Sequence, residues 1–132
     1  MRLRPLAGTL LACCLAWPAA GAREPFSKIH KPFVSGYRSF QRGGWREALR
    51  SLEPLQEVQV PYRDYILFVL GTSRLELNRC VEARQSFTEL TNYFSQSRWV
   101  GDAEKGEIES LLCLGDLETA RRRIDAFLRG TI

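Results

Sequence analysis

Few residues in this chain could do chemistry, and their spacing argues against most of it. His30 is the only histidine, and a Ser-His-acid set would have to be built around it in a polar stretch between Pro25 and Pro32, where no element orients the ring. Cysteines stand at positions 13, 14, 80 and 113. They form no Cys-x-x-Cys pair, and with a single histidine they offer no ligand spacing for zinc, so neither a metal nor a cofactor is expected. Gly43-Gly44 is not followed by Lys-Ser or Lys-Thr and reads as a turn, not a phosphate loop. Arg121-Arg122-Arg123 is the densest charge run. It suits either a phosphate or acidic-partner contact or, as we prefer, the solvated side of a last helix whose buried stripe is Ala120, Ile124, Phe127 and Leu128.

The elements that hold these residues follow from composition and pattern. The 132 residues, 45% apolar, 26% charged and 11% aromatic, suit one globular domain. Sixteen Arg and three Lys oppose fifteen acids for a formal +4, too mild an excess for nucleic-acid binding. Residues 1–22 read as a cleavable export signal: Arg2 and Arg4, an apolar run from Leu6 to Trp17, Pro18, then small residues at Ala20-Gly21-Ala22. The run is shorter than the ~20 residues that span a bilayer. A second reading of Leu10-Leu11-Ala12-Cys13 is a lipobox that would place a lipid on Cys13 and so tie the chain to a membrane. Cleavage after Ala22 leaves a formal +2 and two cysteines, Cys80 and Cys113, in an oxidising compartment.

Beyond a polar lead-in (23–32), every strong apolar pattern is helical and none alternates as a strand would. The chain also resembles itself. Gly43, Asn78 and Gly115 each precede an alanine by five residues (Ala48, Ala83, Ala120), at steps of 35 and 37. Four residues past each alanine comes Leu52, Phe87 or Ile124, and three further Leu55, Leu90 or Phe127. The unit is a helix pair: a left-handed residue ends the first helix, the alanine permits close approach, and the bulky residues share one face of the second. First helices are predicted over Phe33 to Arg42, Tyr62 to Leu77 and Asp102 to Leu114, with Phe40, Leu70, Leu75, Leu111 and Leu114 among their apolar residues. Gly36 and Gly71 lie twelve residues before their alanines, where the third unit has Ile108.

Such units resemble tetratricopeptide repeats, whose period is 34 residues. The residues carrying the resemblance are Gly36, Gly43, Glu47-Ala48 and Leu52; Gly71, Glu82-Ala83 and Phe87; and Gly115-Asp116, Ala120 and Ile124. No copy has the family's proline at the end of its second helix, where Val60, Ser95 and Thr131 stand, although Pro61 follows the first. The third copy carries two extra residues near Trp99 to Gly101. The segment Tyr93-Phe94-Ser95-Gln96-Ser97, with Asp102-Ala103 after it, is similar to connectors in bacterial envelope members, among them the repeat regions of soluble lytic transglycosylases and envelope-assembly proteins. Glu109-Ser110 repeats the acid-then-serine order of those enzymes without their surrounding motif and is read as coincidence.

The resemblance implies an all-α, right-handed α-α superhelix of three units, about 33–61, 62–98 and 99–132. Its first helices would line a concave face, toward which Tyr37, Phe40, Gln41, Tyr65, Phe68, Thr72, Glu76, Lys105 and Glu109 would point. That face would take another protein or a peptide; the competing reading makes Phe40, Tyr65 and Phe68 core residues. Cys80 and Cys113 fall on the same edge of such an array, so they are either bridged or two small core thiols. The expected function is protein binding in the periplasm or cell envelope without catalysis. The alternatives are the leading segment of a lytic transglycosylase and a lipid-anchored envelope-assembly component.

Overall fold

A computed structural model describes residues 26–130. Among them are six α-helices, one short 3-10 turn and no strand: α1 (Phe26–Gln41), α2 (Trp45–Leu52), the 3-10 turn (Glu53–Leu55), α3 (Arg63–Glu76), α4 (Cys80–Tyr93), α5 (Val100–Cys113) and α6 (Leu117–Leu128). The chain is all-α over this span. The stretch read as an export leader (1–22), Cys13 within it and the last two residues lie outside the described residues.

Three identical turns organise the helices. Gly43, Asn78 and Gly115 have φ of 73°, 57° and 76°, the left-handed conformation expected of the residue that ends a helix. The next N–H in each case reaches back to a carbonyl five residues earlier: Gly44 to Ser39 (2.8 Å), Arg79 to Arg74 (2.8 Å), Asp116 to Leu111 (3.0 Å). The left-handed residue's own N–H bonds Phe40, Leu75 or Leu112. This is the Schellman pattern three times over. The carbonyls of Gly44, Arg79 and Asp116 then accept from Ala48, Ala83 and Ala120, and all three alanines are fully buried.

Packing inside a pair depends on missing side chains. A Cβ on Gly36 would stand 2.8 Å from Leu52 Cδ2, and one on Gly71 would stand 2.6 Å from Phe87 Cε1. The third pair lacks this seat, since Ile108 occupies it and Ile124 opposite is only half-buried. The glycine of α5 instead faces the preceding pair: a Cβ on Gly106 would meet Phe87 Cε2 at 2.5 Å. Phe87 thus serves two interfaces. Ala120 is the only residue of α6 that is fully enclosed.

The pairs then stack. α2 packs on α3 and α4 on α5, while α3 also touches α1 and α5, so first helices lie beside one another. Leu49, Leu52, Leu55, Ile66, Val69 and Leu70 form the core between the first two pairs. Leu67, Ala83, Phe87, Leu90 and Ala103 form the next. Buried Arg74 crosses the first junction, donating from Nη1 to Ser86 Oγ (2.6 Å) and from Nη2 to Gln56 Oε1 (2.9 Å) and Glu53 Oε1 (3.3 Å). Its Nε and the hydroxyl of Ser73 are buried without a partner among the described residues.

α5 starts at Val100, two residues before the predicted Asp102, and larger departures from expectation occur at α1 and α2. α1 starts at Phe26, seven residues before the predicted Phe33, and carries Pro32 inside it. The proline forfeits one backbone bond, but a helix through it places Ile29 and Phe33 one turn apart against the first core. The stretch 26–32 is therefore helical and not a lead-in. α2 is only eight residues long. Pro54 disfavours helix at the residue before it, and the chain turns into the 3-10 segment.

Candidate protein-binding face

The side of the first helices carries a chain of aromatic rings. On α1, Phe33 lies 4.4 Å from Tyr62 and 6.2 Å from Tyr65, between ring centroids. Tyr37 lies 6.1 Å from Tyr65, and Phe40 meets Trp45 at 5.5 Å and Phe68 at 6.3 Å. Phe68 stacks on Trp99 at 4.7 Å with 16° between planes, and Tyr65 is 5.1 Å from the same indole. Such pairs add to the area they bury.

The structure therefore brings Tyr37, Phe40, Gln41, Tyr65 and Phe68 together. Gln41 Nε2 donates to the Tyr37 hydroxyl at 2.5 Å. The rings differ in what they offer a partner. Phe33, Phe40, Tyr65 and Phe68 are half-buried and packed on the first core, so much of their surface already serves the junction between pairs. Tyr37 is 38% exposed. Thr72 is half-buried and Glu76 exposed on α3, while Lys105 and Glu109 are exposed on α5. Lys105 is tied to Asp102 at 3.3 Å. No ring contact or hydrogen bond joins these four to the aromatic chain among the described residues.

Trp99 escaped the sequence reading, which counted it as part of a two-residue insertion. The insertion delivers this ring to the face, and Asp64 fixes it there. The Ser97 hydroxyl donates to Asp64 Oδ2 (2.5 Å), the Trp99 N–H donates to Ser97 Oγ (3.1 Å), and the Tyr65 N–H donates to Asp64 Oδ1 (2.8 Å). One carboxylate so anchors both ring-bearing segments. The guanidinium of Arg98 lies 4.5 Å over the Trp99 ring. Burial pushes the Tyr65 phenol above its ordinary value of 10.0 and neighbouring Tyr37 adds to this, while Arg98 works in the opposite sense. Tyr65 is neutral and sits within the aromatic chain, in ring contact with Phe33, Tyr37, Phe68 and Trp99.

The other singled-out groups fall elsewhere. Exposed His30 stacks on Phe26 at 4.8 Å. Glu109 is exposed, and Ser110 is buried with its hydroxyl donated to the Gly106 carbonyl at 2.7 Å. Cys80 and Cys113 are joined as a disulfide with Cα atoms 6.0 Å apart, linking the start of α4 to the end of α5. In the arginine run, Arg121 and Arg122 are exposed, but Arg123 is not part of a solvated face: it turns inward to Glu107, a buried carboxylate that also accepts from Thr91 Oγ1 at 2.8 Å. Burying a charge demands such partners. No group of three or more His, Cys, Asp or Glu is placed to hold a metal among the described residues. No helix among them is long and apolar enough to cross a membrane. An open depression of about 850 Å³ lies away from the rings, along Val81, Arg84, Thr88, Asn92 and Tyr93 of α4.

Compared with protein-family models, with curated proteins and with solved structures, the chain matches none.

Proposed function

We propose that this is an exported tetratricopeptide-like protein of the bacterial periplasm or cell envelope, its three helix pairs wound in a right-handed superhelix, that binds another protein or peptide and performs no catalysis. The observation that carries the reading is the aromatic chain from Phe33 to Trp99 on the side of the first helices, with an exposed tyrosine at its edge and acidic and amide groups of α1 and α3 beside it. Rigid aromatic rings lose little conformational freedom on binding and are enriched in the parts of interfaces that carry energy. The three equivalent turns and buried alanines support the repeat architecture, and the charge and apolar pattern of residues 1–22 supports export.

The test is affinity capture from bacterial envelope extract with wild type and a Tyr37→Ala, Gln41→Ala double variant. These side chains are exposed, so the fold should persist, as circular dichroism would verify. Loss of the captured protein supports the face; capture of the same protein at the same affinity overturns it.

A further inference from the structure

Charge is divided unevenly among the helix pairs. Between Phe26 and Leu52 the first pair holds Lys28, Lys31, Arg38, Arg42, Arg46 and Arg50 against Glu47 alone, a formal +5; residues 53–130 hold ten basic and thirteen acidic side chains, a formal −3. Pairing follows the same division. Arg63, Arg74, Arg79, Lys105, Arg121 and Arg123 each contact a carboxylate. Lys31, Arg38, Arg42, Arg46 and Arg50 contact none among the described residues, and all five are exposed. The chain's net charge of +4 conceals this division.

Helical spacing sorts the cations further. Gly36 and Phe40 mark the core side of α1, and at 3.6 residues per turn Lys31 and Arg38, with Arg42 one residue past the helix end, fall on the opposite side with Val34 and Ser35. This row runs about 16 Å along the helix, and its side chains border an open depression of about 430 Å³. α1 is the first helix of the described array, so this face closes one end of it. An end that needs only solubility can mix signs, as α6 and its C-cap do with Glu118, Arg121, Arg122, Asp125 and Arg129. The α1 face has one sign only.

We propose that the outer face of α1 docks on the surface of a bilayer containing anionic phospholipids. This goes beyond the protein-binding reading and rests on different residues. Cations spread over about 16 Å along one helix suit a plane of phosphates better than a single phosphate, which donors converging from several elements would hold. A long nucleic-acid strand lying along the array would run over the −3 remainder, whereas a flat membrane meets only the basic end. Each Lys or Arg close to an anionic leaflet strengthens binding about fivefold, so three act on the order of 100-fold, and salt weakens the effect within a Debye length of ~10 Å.

The experiment is co-sedimentation of the full chain with phosphatidylcholine vesicles, with and without phosphatidylglycerol. It compares wild type, a Lys31→Glu, Arg38→Glu, Arg42→Glu variant, and an Arg121→Glu, Arg122→Glu, Arg129→Glu variant with the same net charge. Both sets of positions are exposed; a Lys31→Gln, Arg38→Gln, Arg42→Gln variant checks that any loss is not caused by reversed charge unfolding α1. The expected result is phosphatidylglycerol-dependent, salt-sensitive partitioning that falls on the order of 100-fold in the α1 reversal variant, falls substantially in the glutamine variant, and changes only a few-fold in the α6 variant. Equal losses in the α1 and α6 variants, equal binding of wild type to both kinds of vesicle, or binding to polyglutamate without binding to vesicles would each overturn the proposal.

Discussion

Gly106 of α5 packs against the ring of Phe87 on α4 so closely that a Cβ there would stand 2.5 Å from Cε2, and Gly71 of α3 approaches the same ring, with its Cβ 2.6 Å from Cε1. Two helices from different pairs close on one side chain. Alanine in a helix is ordinarily favoured over glycine by about 1 kcal/mol. Here the added methyl has no room, because either glycine blocks the ring's retreat from the other. We expect Gly106→Ala to destabilise by about 1–2 kcal/mol net of that gain, read as a lower urea midpoint. Adding Phe87→Leu should restore part of the loss. Gly101, whose Cβ would meet nothing within 4 Å, should stabilise when changed to alanine, and equal effects at the two sites would refute the steric account.

The three turns predict a contrast between backbone and packing effects. Gly115 has φ 76° and open space around its Cβ position, so Gly115→Ala should cost about 1–2 kcal/mol from conformation alone. Asn78 already bears a side chain at φ 57°. Asn78→Gly should be neutral or mildly stabilising, since the relief of strain competes with the greater freedom of the unfolded chain. Thermal melting of both variants checks this; a Gly115→Ala protein as stable as wild type would contradict the turn assignment.

Glu107 depends on Arg123. Removing the arginine leaves a buried carboxylate with Thr91 as its remaining side-chain donor. Arg123 keeps 36% of its side chain exposed, so the loss should fall below the 3–5 kcal/mol of a fully buried pair, at about 2 kcal/mol for Arg123→Ala. Replacing both residues by leucine should recover most of it. A double variant weaker than the single one would show that the pair contributes more than mutual compensation.

Asp116 is the only residue of its kind at the three turns with a carboxylate, and its side chain caps α6 by accepting from the Thr119 N–H at 3.2 Å. Hydrogen bonds from Thr119, side chain first and backbone second, hold its carboxyl below the ordinary 3.8, with Arg84 and Arg122 assisting. A depressed folded value means the contribution is complete above the unfolded pKa and disappears as pH falls through the folded one. Wild type should therefore lose more thermal stability below about pH 3.8 than Asp116→Asn, which caps without titrating. Parallel melting curves against pH for the two proteins would exclude the effect.

Much of the architecture was legible because it depends on local rules. A glycine or asparagine five residues before an alanine encodes a left-handed cap and a helix contact within one short window, and it recurs three times. Helix limits were less legible where two tendencies compete. Pro32 ordinarily stops a helix, yet Ile29 and Phe33 gain enough by packing to carry α1 through it; Pro54 turns the chain from α2 into the 3-10 segment, which still delivers Leu55 to the core. Ile108 showed that the third pair lacks a glycine seat, but nothing in the spacing told that Gly106 faces backward onto Phe87. The aromatic face was found from phase at Tyr37, Tyr65 and Phe68, while Trp99 was missed because the insertion breaks the phase. Arg123 was misread because a run of like charges hides which member points inward, a matter decided by a carboxylate sixteen positions away.

The bond between Cys80 and Cys113 also decides what happens if the backbone is cut. It encloses the connector from Phe94 to Trp99, the whole non-helical stretch between α4 and α5. A protease that nicks this connector would leave the two fragments covalently attached, so the molecule would migrate as one species until a thiol reagent separated it.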